Sequence, residues 1–100
     1  MKLGIVITTD KYLDQILGIT RSALSKGHEV NLFNMDEGVR LLEEPSFTVL
    51  CKEKGVSMCF CDYSAKTVEI STEGVPDEIA CGSQFDNANI NHDSDRVITL

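Results

Sequence analysis

LGIVITTDKYLDQILGITRSALSKGHEVNLF, residues 3 to 33, decides the fold. Leu3 to Thr8 is a continuous apolar, β-rich run, the pattern of a strand covered on both faces in a parallel sheet. Asp10 is placed to cap a helix in which Leu13, Ile16, Leu17, Thr20, Ala23 and Leu24 recur at three- and four-residue spacing, and Gly27 supplies a left-handed stop. His28 to Phe33 then returns as a second strand. A strand–helix–strand unit of about 30 residues takes a right-handed crossover and commits the chain to an α/β fold with a parallel sheet.

Outward from that unit the pattern continues. DEGVRLL, from Asp36 to Leu42, predicts a short helical turn, and Pro45 opens a second short helix over SFTVLCKEKG that Gly55 closes. Val56 to Cys61, VSMCFC, is a third bounded apolar run and reads as a strand. DYSAKTVEI offers a short helix before the turn at Gly74 to Pro76. Ile79 to Cys81 predicts a brief fourth strand, Ser83 caps a helix over residues 84 to 92, and Arg96 to Leu100 forms the last strand. A sheet of about five strands results, without repeats or linkers. A length of 100 residues, 42% of them apolar, fits one domain over residues 1–100 and is too short for two cores.

Sixteen acidic against nine basic residues give a net charge of −7, with no Lys/Arg cluster. Nucleic acid and anionic membrane are therefore poor partners. The apolar run in MKLGIVITTD is shorter than a signal-peptide core or a membrane span, so a cytoplasmic location is expected, with Cys51, Cys59, Cys61 and Cys81 as reduced thiols.

In open α/β sheets reactive groups collect at the carboxyl ends of the strands. Three turns qualify: Thr8-Thr9-Asp10, Asn34-Met35-Asp36 and Cys61-Asp62-Tyr63. Only the last holds a strong nucleophile, and a partly exposed thiol at the start of a helix has more thiolate at neutral pH. Asp62 opposes this unless its carboxylate turns away. Cys81, in ACGSQF, is a candidate second thiol near the same end. Cys59 lies two residues before Cys61 on the same strand face, with Cα atoms roughly 6.6 Å apart and parallel Cβ vectors, so a bond between the two is not expected. Cys51 reads as helix filler. Zinc would want paired C-x₂₋₄-C ligands, which C-x-C on a strand does not provide, so no metal site is expected even with His92. His28 and His92 read as solvated, and the acids Glu43, Glu44, Asp93 and Asp95 as surface charge. No nucleotide-binding glycine motif and no CxxC pair occurs, so no cofactor is expected.

GVSMCFCDYSAKTV resembles the DsrE/DsrF-like family, in which Gly-Val opens the third strand, a cysteine closes it, and a small residue and a Lys follow; here these are Gly55, Val56, Cys61, Ala65 and Lys66. VNLFNMDEGVRLL is similar to the family's second strand and following turn, with Glu37 inserted, and Asp95, Arg96, Val97 and Ile98 stand at its closing strand. The resemblance implies a flavodoxin-like three-layer sandwich, a homo-trimer or homo-hexamer, and a sulfur-relay role in which Cys61 carries sulfane sulfur as a persulfide between donor and acceptor proteins, with Cys81 assisting. Asp62 departs from a glycine common at that position. The alternative is a non-catalytic member that uses the strand-end pocket for binding alone, which a fully enclosed Cys61 would favour.

Overall fold

In the computed structural model, which describes residues 1–100, five parallel strands form one sheet: β1 (Lys2–Ile7), β2 (Glu29–Asn34), β3 (Val56–Cys61), β4 (Ile79–Gly82) and β5 (Arg96–Thr99), in the order β4-β3-β2-β1-β5. Helix α1 (Leu13–Ser25) links β1 to β2. A 3₁₀ turn (Asp36–Glu43), α2 (Pro45–Thr48) and a second 3₁₀ turn (Val49–Lys52) link β2 to β3. Helix α3 (Asp62–Val68) leads to β4, and α4 (Gln84–Asp93) leads to β5. The chain adopts the expected α/β fold, a mostly parallel sheet being expected and all four strand pairings proving parallel. Its strand order differs from the 2-1-3-4-5 order of flavodoxin. Successive crossovers step the same way from β1 to β4, and only the last returns across the sheet to set β5 beside β1.

That return makes the two sheet faces unequal. Ile5, Ile7, Val30, Leu32, Met58, Phe60 and Ile79 pack with Ile16, Phe47, Leu50 and Ala65 from the intervening segments into one core. Strand alternation sends Gly4, Asn31, Ser57 and Cys59 to the other face. There α4 contributes no buried residue. It comes close because Gly4 has no side chain: a Cβ there would stand 2.8 Å from the Ser94 hydroxyl.

Element ends follow local chemistry. Gly27 and Gly55 take the left-handed conformation expected of them, at φ +83° and +93°. Ser83 caps α4 through a reciprocal pair, its hydroxyl accepting from the Phe85 amide and the Asp86 carboxylate from its own amide. Asp10 does not cap α1. The chain turns twice more, through Lys11 and Tyr12, and the helix starts at Leu13 with the Ile16 amide on the Tyr12 carbonyl at 2.9 Å.

The tightest approach lies at the end of β1, where the first 3₁₀ turn rests on the strand. A Cβ on Gly38 would meet the Ile7 carbonyl oxygen at 2.2 Å. Gly18, in the exposed middle of α1, has nothing within 4 Å of the same position. Gly38→Ala should therefore destabilise by about 1–3 kcal/mol through forced backbone displacement. Gly18→Ala should stabilise by about 0.5–1 kcal/mol through helix propensity. Thermal or urea unfolding of the two variants checks the opposite signs.

Candidate functional site

A cleft of about 560 Å³ opens where β3 gives way to α3, lined by Met35, Asp36, Cys61, Asp62, Tyr63, Ser64, Gly82, Ser83 and Gln84. Two of the three strand-end turns meet here, after β2 and after β3, while Thr8-Thr9-Asp10 lines no part of it. Residue Thr8 is instead held by the carboxyl-terminal residue, its amide on the Leu100 carbonyl at 2.6 Å.

Cys61 is the last residue of β3 and the cap of α3, with extended backbone at φ −81° and ψ 115°. The start of a helix leaves amides without partners, and those of Tyr63 and Ser64 face back toward the capping side chain. The neutral thiol makes no capping hydrogen bond of ordinary geometry; the donors around it act when it ionises. Burial is the largest single influence on this thiol and pushes its pKa up. The Ser64 hydroxyl and amide, the Gln84 side chain and the Tyr63 amide favour the thiolate and together outweigh burial, so the pKa lies below the usual thiol range. Cys61 is nevertheless only 2% exposed. The expected partial exposure is not found, because the turn after β2 and the start of α4 close over the sulfur from both sides.

The other thiols behave differently. Cys81 is exposed on the edge strand β4, level with Phe60, so alternation directs its side chain to Phe60's face, opposite that of Cys61. Desolvation, then the charge of the Asp62 carboxylate and a hydrogen bond to it, push the Cys81 thiol up. Cys59 points to the α4 face, close enough to Gly82 that a Cβ there would touch its sulfur at 2.6 Å. Its burial, followed by the nearby Asp86 charge, pushes its pKa up to about 11. Cys51 is raised chiefly by burial. Asp62 turns away from Cys61 to Lys66, one helical turn on, at 2.8 Å. A second cleft, about 280 Å³, lies under α4 between Asn31, Cys59, Asp86 and Ile90; the thiol in it is pushed up to about 11, so the Cys61 cleft is the candidate site.

No three His, Cys, Asp or Glu side chains come together in a metal-holding group. No helix is long and apolar enough to cross a membrane.

The sequence matches the DsrE/DsrF-like family over residues 1–100. The chain belongs to the DsrE/DsrF-like family. Among solved structures, the YchN protein from E. coli superposes with a TM-score of 0.75 at 16% identity, covering 100% of both chains. MTH1491 from Methanobacterium thermoautotrophicum, described as a protein of unknown function, gives 0.69 at 12% identity over 99% of this chain and 98% of its own. At such identities the likeness concerns fold. No curated protein sequence matches the chain. Membership of the DsrE/DsrF-like family supports a sulfur-relay family in general terms.

Ser64 and Gln84 were not singled out in the sequence. Ser64 had one available signal, its place three residues after Cys61 in the first turn of α3, where a side chain returns to the capping residue. Gln84 had none, since it reaches the site from a separate helix.

The thiols should separate by pH. For each, alkylation follows the thiolate fraction, which rises with pH toward its pKa. Cys61 should show the lowest midpoint of the four and Cys59 a midpoint near 11. Iodoacetamide labelling across a pH series, resolved by peptide mass, checks the order.

Proposed function

We propose that the protein is a sulfur carrier in which Cys61 accepts sulfane sulfur as a persulfide. What supports this reading is that Cys61 closes β3 at the start of α3 inside a cleft, where hydroxyl and amide donors hold its thiol below the usual range against a burial that pushes it up. The step is an attack of the Cys61 thiolate on the outer sulfur of a donor persulfide, R–S–SH. A sulfur–sulfur bond forms on Cys61, the donor's S–S bond breaks, and its electron pair leaves on R–S⁻. Passing the sulfur to an acceptor thiolate is the same exchange in reverse. Cys81, its thiol pushed up by desolvation and then by Asp62 and directed to the face opposite that of Cys61, is the weaker candidate for an assisting thiol.

The partners are donor and acceptor proteins. Tyr63 and Phe85 stand 78% and 72% exposed beside the cleft, an aromatic rim suited to protein contact. A chain of net charge −7 favours partners with basic contact faces. We place the relay in the cytoplasm, where free thiols persist.

The 2% exposure of Cys61 favours a second reading, a binding module that uses the cleft without sulfur transfer. Replacing Cys61 with Ser separates the two. The substitution keeps the volume and should change stability by about 1 kcal/mol. Intact mass after incubation with a sulfane-sulfur donor should show one added sulfur on the wild type and none on Cys61→Ser. Equal uptake by both, or uptake by neither, removes the carrier reading.

Assembly into three or six copies is part of the same proposal. The chain is small, and α4 lays no residue into a core while its first turn exposes Phe85, leaving surface for another copy to cover. Light scattering at micromolar concentration should return three or six times 11.0 kDa, and a species of 11.0 kDa alone would overturn it.

A further inference from the structure

We propose that the open edge of β4 is a self-pairing surface, on which β4 of a second copy of this chain lies antiparallel across a two-fold axis at Cys81. The inference rests on the assembly reading for there being more than one copy, and it decides how two of them meet.

β4 is an outer strand of the sheet, bonded to β3 on one side only. On its other side the Ile79 amide turns to the Pro76 carbonyl at 3.0 Å. Peptide groups alternate in direction along a strand, so the N–H and C=O of Cys81 point to the same open side. Such an edge is a template for another strand unless charge, proline or a bulge guards it. Within β4 nothing does: Ile79, Ala80, Cys81 and Gly82 are uncharged, and Ala80 and Cys81 are exposed. The opposite edge differs, since β5 carries the exposed Arg96.

Apolar surface collects at the same edge. Tyr63 and Phe85, at 78% and 72%, are the most exposed of the chain's large hydrophobic side chains. Register sets Cys61 beside Gly82, so Tyr63, just past the end of β3, and Phe85, just past the end of β4, both stand near this corner. Ala65 packs α3 on the core face, whereas α4 lies over the other face, so the two aromatics straddle the edge.

Charge selects the occupant. A net charge of −7 drives copies apart unless they meet where charge is balanced. Here it is balanced, because Asp62 pairs with Lys66 at 2.8 Å, Glu78 pairs with Lys52, and the Asp86 carboxylate is taken up by the Ser83 amide. Asp77 stands well away from the axis, near the turn that leads into β4. An uncharged strand offers little for a strongly basic partner to read, but its backbone is complementary to itself. Pairing about Cys81 sets Ile79 of one copy opposite Ser83 of the other, and Ser83 lines the Cys61 cleft. Each copy thus adds the start of its β4 to the rim of the other's cleft. A two-fold contact gives an even number of copies, which selects six over three.

The test uses the full chain, with Cys81 as its one exposed cysteine and a short bis-maleimide as the probe. Copies joined Cys81 to Cys81, identified by peptide mass, are expected at micromolar concentration. Hydrogen exchange at the Cys81 amide should slow by about tenfold or more relative to a dilute, dissociated sample. Cys81→Ser should keep the assembled mass and lose the crosslink. Cys81→Lys sets two ammonium groups opposite each other at the axis and should halve the assembled mass in a protein whose circular dichroism is unchanged. A folded Cys81→Lys protein of wild-type mass overturns the proposal. So does a concentrated wild type in which no Cys81 joins another and the amide exchanges freely. Three copies with a free β4 edge refute the pairing and leave the assembly reading standing, whereas a species of 11.0 kDa alone refutes both.

Discussion

The backbone between Asn34 and Gly38 is the constraint on which the Cys61 end of the molecule depends. Asn34 is fully buried and donates to the Gly38 carbonyl at 2.8 Å, folding the chain back as it leaves β2. Gly38 can then lie against the Ile7 carbonyl, where a side chain would not fit. The turn between them forms one wall of the cleft and supplies the amide that meets Ser64. A buried polar bond of this kind is costly to break, because each freed group would lose a partner without gaining water. The bond ties this wall back to β2, whereas loops at strand ends are usually the mobile parts of an α/β protein.

Four cysteines of one chain acquire distinct chemistry from their surroundings. Cys59 and Cys61 stand two residues apart on one strand, yet burial beside Asp86 raises the first, while amide and hydroxyl donors lower the second. Desolvation acts on both in the same direction. What differs is the presence of donors, since β3 passes Cys59 through the middle of the sheet and delivers Cys61 to the open amides of a helix start. Cys81 remains exposed, and desolvation followed by its acidic neighbour Asp62 raises it. Exposure and acidity are thus divided between two thiols, Cys81 and Cys61.

Strands and helices were legible because each carries a local signal. Apolar runs of five or six residues, the helical spacing through α1, and left-handed glycines at positions 27 and 55 read directly as elements and stops. The Asp10 cap failed because capping depends on where the first helical turn begins, and two further turn residues shifted that start to Leu13. Alternation along β3 put Cys59 and Cys61 on one face, and the parallel rule put Cys61 at the reactive edge.

By itself the sequence determined the α/β class, the strand–helix–strand unit, and Cys61 as the thiol at a strand-to-helix junction, because these follow from periodicity and chain order. Only the tertiary structure decided that Cys61 is enclosed, that Cys81 leaves the sheet on the opposite face, that Ser64 and Gln84 meet Cys61 in one cleft, and that the Asp36 amide bonds the Ser64 hydroxyl. Those facts depend on the register between β3 and β4 and on the approach of segments 28 and more residues apart in sequence. No local pattern encodes such distances, since they are set by how closely the packed elements can come together.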